Sequence, residues 1–295
     1  MPPHRLPALL LPLLLAAPGM AEAQGDTYEE TAALQPGGSL SIEASGGSVL
    51  LLAWDRPQVE IQARIEAPAD VDGDYARDIV AATRIDVRAT AGAVRVRSDF
   101  NDVERRGFFD RRRTLPDVHY EISAPREVVL DIELGRGAGT TLRGFEGQIT
   151  INSDRSDLNL VELSGTLRIE LERGQMQASD FTGSLTLNVD RGTRALLPRL
   201  SGSVLIDAIR TNVVLSDARI DGDSDIALDR GDLDLELAGS QPLTIDAEVS
   251  SRANLRNDLP VTLQQSGARY QATLEGGGPA LRIRADEGEV RLRSN

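Results

Sequence analysis

Leu163-Ser164-Gly165-Thr166-Leu167-Arg168-Ile169-Glu170-Leu171-Glu172-Arg173-Gly174 contains one strand and the two corners that bracket it. Its centre, from Leu167 to Leu171, alternates apolar and charged residues. A period of two sends Leu167, Ile169 and Leu171 to one face of an extended chain and Arg168 and Glu170 to the other, the pattern of a half-buried strand. A helical period would scatter the same residues around a cylinder. The glycines at either end read as corners, because glycine reaches positive φ without a Cβ clash.

The pattern recurs. An apolar residue, any residue, then glycine appears at Phe145-Glu146-Gly147, Leu163-Ser164-Gly165, Phe181-Thr182-Gly183, Leu200-Ser201-Gly202, Ile220-Asp221-Gly222 and Leu237-Ala238-Gly239, with glycines spaced by 18, 18, 19, 20 and 17. A second series interleaves with it: Arg136-Gly137, Arg155-Ser156, Arg173-Gly174, Arg191-Gly192, Arg210-Thr211 and Arg230-Gly231, with arginines spaced by 19, 18, 18, 19 and 20. Each repeat reads as strand, corner at Arg-Gly, strand, corner at apolar-x-Gly. Ser156 and Thr211 replace the glycine, so those two corners are expected to turn differently.

One such unit cannot bury its apolar face alone. Stacking the units places Phe145, Leu163, Phe181, Leu200, Ile220 and Leu237 in one interior column, with backbone bonds between coils about 4.8 Å apart. The expected fold class is all-β: a single-stranded β-helix-like solenoid of roughly 18–20-residue repeats with two short strands per repeat. An up-and-down antiparallel meander uses the same strands, but gives side chains no reason to keep register at a repeat-length period. Leucine-rich repeats fit poorly, since no helix lies between strands.

The flanks vary the theme. Leu40–Ala44 and Val49–Leu52 surround Gly46-Gly47, and Val59-Glu60-Ile61 follows a turn at Asp55-Arg56-Pro57. Trp54, the only tryptophan, reads as a core residue capping that end. Tyr75, Ile79, Val80 and Ala82 share a face of the one expected helix, over 73–83. The charged C-terminal strand, Glu289 to Arg293, suits the covering of a far edge. The organisation expected is a leader over 1–23, an N-terminal cap over 24–129, and regular repeats with a C-terminal cap over 130–295.

The leader rests on Arg5, the apolar run Leu6–Ala17 and the small-x-small pattern Ala21-Glu22-Ala23, the signature of a secretory signal peptide too short in its apolar run to span a membrane. Export to the periplasm or the cell surface follows as an expectation. The chain has no cysteine, so burial and backbone pairing carry stability. All 32 basic residues are arginines, which closes Schiff-base and lysine general-base chemistry. A net charge of −14 repels phosphate backbones and argues against nucleic acid as a partner.

With Trp54-Asp55 and Val59-Glu60-Ile61 reading as an opening strand pair, and with glycine-bracketed short strands behind a leader, the sequence from about Leu40 to Leu292 resembles the bacterial putative-adhesin repeat family, also called the toastrack domain. The resemblance implies a β-solenoid, an exported or surface setting and an interaction role; the reading adopted is a non-catalytic binding protein with a cell-envelope protein or glycan as its expected partner. It implies no catalytic, cofactor or metal residues.

Three sites stand out beside it. Arg136, Arg155, Arg173, Arg191, Arg210 and Arg230 would form a guanidinium row for a long acidic ligand, or pair with carboxylates such as Asp154, Glu172, Asp190 and Asp229. Arg105, Arg106, Phe108, Phe109, Arg111, Arg112 and Arg113 lie in Phe100–Thr114, a stretch without strand alternation; it reads as a binding loop or as a plug whose phenylalanines fold back. Asp221, Asp223, Asp225, Asp229, Asp232 and Asp234 form an oxygen-rich turn, a calcium site or a solvated acidic run. The rival function is a polysaccharide-active enzyme on a pectate-lyase-like β-helix, and a further one is a periplasmic scaffold without a ligand. His119 is the only histidine outside the leader and the only imidazole base available to a nucleophilic triad.

Overall fold

The computed structural model describes residues 25–71, 73–106, 115–191 and 194–295. It is all-β apart from two short helices. In chain order the first elements are β1 (Gly25–Ala33), β2 (Ser39–Ala44), β3 (Ser48–Trp54), β4 (Gln58–Glu66), α1 (Gly73–Ala82), β5 (Arg84–Ala89), β6 (Ala93–Asp99), α2 (Asn101–Arg106) and β7 (Asp117–Pro125). The repeats follow as β8 (Glu127–Leu134), β9 (Gly139–Arg143), β10 (Glu146–Arg155), β11 (Leu158–Val161), β12 (Ser164–Arg173), β13 (Gln175–Ser179), β14 (Thr182–Asp190), β15 (Arg194–Pro198), β16 (Ser201–Ile209), β17 (Asn212–Ile220), β18 (Ser224–Asp229) and β19 (Leu233–Leu237). The chain closes with β20 (Leu243–Asp258), β21 (Gln264–Ser266), β22 (Arg269–Leu274) and β23 (Ala280–Ser294).

Alternate strands pair, in parallel. One ladder runs β8–β10–β12–β14–β16–β18 and the other β9–β11–β13–β15–β17–β19. Every partner lies one repeat along the chain, so Ile151 meets Ile169 and Leu187 meets Ile206. Side-chain parity turns Leu, Ile and Val inward from both ladders, and the interior column Phe145, Leu163, Phe181, Leu200, Ile220 and Leu237 is at most 2% exposed. One continuous core runs the length of the molecule.

Close approach of successive coils explains the glycine column. Gly147 pairs with Gly165, Gly165 with Gly183 and Gly183 with Gly202. A Cβ at Gly165, Gly183 or Gly202 would stand 2.2, 2.0 or 1.8 Å from the carbonyl oxygen of the preceding rung's glycine. The Arg-Gly corners differ from one another. Gly137 and Gly174 take positive φ, but at Arg191, Arg210 and Arg230 the arginine itself does, at 63, 52 and 56°. The left-handed conformation costs a non-glycine residue roughly 1 kcal/mol, offset where the Arg191 and Arg210 amides donate to Ile209 and Asp229 of the next rung. Ser156 and Thr211 are buried, and their hydroxyls bond back to Gly135 and Ile209 carbonyls.

The ladders begin before the regular repeats. β2 pairs in parallel with β8 and β3 with β9, so residues 39–54 form a rung across a long insertion. Within the insertion β6 and β7 add in parallel to β2 and β3, and beyond them β1–β4, β4–β7 and β5–β6 pair antiparallel to cap the end. The expected helix over 73–83 is α1, whose Ile79 and Ala82 pack with Val103 of α2. At the other end β23 is not an edge. It lies between β18 and β19 on one side and the long β20 on the other, with β21 and β22 added antiparallel beyond. Because β23 spans both ladders and β16 touches β17 at the corner, five strands, β16–β17–β19–β23–β18, close into a ring. Pairing is therefore richer than two strands per winding.

Trp54 is not in the core. Val49 and Leu51 point inward, so the same parity turns Trp54 outward at the strand end, where it is only partly buried.

Candidate binding surface

The outward positions of the first ladder align as strictly as the inward ones. Glu133 faces Asn152, Asn152 faces Glu170, Glu170 faces Asn188 and Asn188 faces Asp207. Five rungs thus carry carboxylate, amide, carboxylate, amide, carboxylate in a straight column. The next outward residues along three of these strands are Asp154, Glu172 and Asp190. Two adjoining depressions, of about 520 and 320 Å³, share Asn152, Ser153 and Asp154 and make one shallow trough beside the column.

Alternation relieves the electrostatics. Placing an amide on every second rung separates the column's carboxylates by about 9–10 Å, near the Debye length of ~10 Å in 0.1 M salt. Some charges are paired within the chain: Glu170 with Arg168, and Asp190 with Arg191 and Arg210. Partial desolvation pushes the Asp190 carboxyl up, but Arg210 and Arg191 outweigh it and hold the group below the usual carboxylate range. Among the described residues Asp154, Glu172 and Asp207 have no ion-pair partner. The trough therefore offers carboxylate and amide acceptors, with amide donors, at rung spacing along one line.

The expected sites fare differently. In the arginine row, Arg191 and Arg210 meet Asp190, and Arg230 meets Asp229 at 3.3 Å, so this half of the row is spent on carboxylates. Four of the six acidic residues are spent on the last strand: Asp223 accepts from the Ala280 amide at 2.8 Å, Asp232 from Glu289 at 2.9 Å, and Asp225 and Asp234 pair with Arg284 and Arg293, while Asp221 pairs with Arg219 and Asp229 with Arg230. Among the described residues no group of three or more His, Asp or Glu side chains is placed to hold a metal. The stretch expected as a loop from Phe100 opens with α2, and Phe100 packs back against the core. The backbone of Arg105 and Arg106 ends that helix; Phe108, Phe109, Arg111, Arg112 and Arg113, like the leader, lie outside the described residues.

His119 does find a hydroxyl. Ser48 on β3 lies beside it on β7, with Oγ 2.9 Å from Nδ1, and Glu66 is 3.5 Å from Nε2. The nearby Gly139 amide already donates to Gly47, and Glu66 is held by Arg64. Period reading alone could have located the carboxylate–amide column, since its members sit at the outward positions of segments one repeat apart. The Ser48–His119 contact has no such signal, because it joins residues across the insertion.

No family model and no curated protein matches the sequence. Among solved structures, a putative adhesin from Bacteroides fragilis aligns over 92% of this chain and 97% of its own, at 8% identity and a TM-score of 0.51. A putative adhesin from Parabacteroides distasonis aligns over 91% and 98%, at 8% identity and a TM-score of 0.44. The likeness to the Bacteroides protein is one of fold. Among the described residues no helix is long and apolar enough to cross a membrane.

Proposed function

We propose that this chain is an exported, non-catalytic β-solenoid that acts by contact, an adhesin-like protein whose flank holds a linear cell-envelope partner, glycan or protein. The observation that carries the reading is the carboxylate–amide column on five successive rungs, two of its three carboxylates without an ion-pair partner among the described residues, beside a trough rather than in a closed cleft. Hydroxyl- or amine-bearing polymers are matched by acceptors repeated along a line, and many weak contacts add on one chain. Similarity of fold to a protein described as a putative adhesin supports the same role. Beside the Ser48–His119–Glu66 trio the Gly139 amide is already spent on Gly47, which counts against hydrolysis there.

In this reading residues 1–23 direct export and are removed, residues 24–129 cap the coils, and 130–295 carry the binding flank. The segment containing Arg105, Arg106, Phe108, Phe109, Arg111, Arg112 and Arg113 is a second contact, its arginines and aromatics being residue types that dominate binding hot spots. No cofactor is required. The test is a glycan array and an envelope-protein pull-down with intact protein beside the N152A/E170Q/N188A variant. Loss of binding with an unchanged melting temperature supports the flank. Binding unaltered by the triple change, or release of new reducing ends from a bound polysaccharide, refutes it.

A further inference from the structure

The notch around Trp54 is a second built feature, at the corner where three chain segments meet. It is lined by Gln35 and Pro36, by Trp54, Asp55, Arg56 and Pro57, and by Pro125, Arg126 and Glu127, and encloses about 410 Å³. That volume is in the range of small-ligand sites.

Its geometry is held by the backbone. The Leu34 amide donates to Pro57, Gly37 to Glu127 and Arg126 to Trp54, at 3.2, 2.7 and 3.1 Å. Three prolines stiffen the walls by fixing φ. The indole is pinned at one edge by its Nε1–H, which donates to the Gln58 carbonyl at 2.9 Å. Over its face lies the Arg56 guanidinium, 4.8 Å from the ring centroid. An exposed cation–π contact of this kind is worth only about 0.5–1 kcal/mol, so the guanidinium is a displaceable cover on a flat apolar platform.

We infer that the Trp54 notch is a subsite for a neutral hexopyranose residue of a glycan. A pyranose presents one apolar C–H face and a rim of hydroxyls. The indole matches the face, while Gln35 and Glu127 supply acceptors and donors around it; Asp55 and Arg126 form an ion pair at 3.6 Å, and Arg126 also donates to the Gly144 carbonyl, which fixes the far rim. The charges of Arg56 and Arg126 cancel those of Asp55 and Glu127, which disfavours an anionic or cationic ligand. A peptide fits less well. The backbone amides of Gly37 and Arg126 are already spent within the corner. A polyproline helix needs a series of aromatic ridges, and here there is one. The inference shares the contact-binding role proposed above but places it at a different corner, so each fails by itself.

Trp54 is the only tryptophan, so its fluorescence reports the notch directly. The full chain is titrated with cellohexaose, maltohexaose and chitohexaose, with polygalacturonate and decaproline as rivals. At least one neutral oligosaccharide is expected to shift the emission and saturate. By calorimetry, Trp54→Phe should weaken that binding about tenfold and Glu127→Gln severalfold, while Arg56→Ala should tighten it by clearing the platform. Exposed Glu127 and Arg56 keep the test independent of any folding defect in the Trp54 variant. No response to the neutral sugars, a response to decaproline or polygalacturonate alone, or weakening by Arg56→Ala would overturn the assignment. N152A/E170Q/N188A should leave this titration unchanged; its loss in that variant would also count against a separate subsite.

Discussion

Replacing Gly183 by alanine tests coil-over-coil packing at its tightest point. The new Cβ would stand 2.0 Å from the Gly165 carbonyl oxygen, where ordinary contact begins near 3.4 Å, and Gly183 has φ of +136°. The rungs must therefore part by an ångström or more, or the corner must abandon its conformation. Holding alanine at that φ costs about 1–3 kcal/mol, and each ladder hydrogen bond lost adds about 1 kcal/mol, for a total of about 3–5 kcal/mol. Gly137 is the control. It too has positive φ, +82°, but nothing lies within 4 Å of its Cβ position, so alanine there costs only about 1–2 kcal/mol. For a chain of this size about 2 °C is lost per kcal/mol, which predicts melting temperatures lowered by about 6–10 °C for Gly183→Ala and 2–4 °C for Gly137→Ala. Circular dichroism melts of the two variants decide it. Equal shifts would mean that the glycine column serves the turn alone and not the approach of neighbouring coils.

Phe181→Ala, in the interior column, should cost about 3–5 kcal/mol in urea denaturation, whereas Leu205→Ala, on the outer face and 53% exposed, should stay within about 0.5 kcal/mol. Burial raises the Tyr120 phenol to about 12, against the smaller opposing effect of its Ser98 hydrogen bond. An unfolded tyrosine ionises near 10, so stability is full below that pH and drains away as pH rises toward the folded value; Tyr120→Phe should flatten this alkaline loss in pH-dependent unfolding. Asp180 behaves oppositely. Its hydrogen bond with Arg199 holds the carboxyl below 3.8, so its small contribution is present above that pH and lost on acidification, a trend that Asp180→Asn should remove from the acid limb. The Asp223→Ala/Asp232→Ala pair should release the last strand, seen as faster amide exchange over 280–294 with the central repeats still protected.

The repeats were legible because their information is local. Alternation placed Leu167, Ile169 and Leu171 inside, and the paired glycine and arginine series set which residue meets which one coil later. Trp54 was misplaced by composition, since a lone tryptophan suggests core, while strand parity from Val49 and Leu51 points it outward. The acidic run after Asp221 resembled an ion site because the sequence does not show that its partners lie more than 50 residues later, on β23.

From the sequence by itself came an all-β chain of short stacked strands, its interior column, its corners and the helix over 73–83. These follow from periods of two and of about 18–20 residues, which act between neighbours. Only the folded chain shows that residues 39–54 join the ladders ahead of β8, that antiparallel pairs are added outside the parallel strands at both ends, and that β20 and β23 straddle both ladders. Such pairings bring together segments far apart in the chain. Their selection rests on burying the open ends of the core against the entropy of closing long loops, a balance that leaves no periodic mark in the residues themselves.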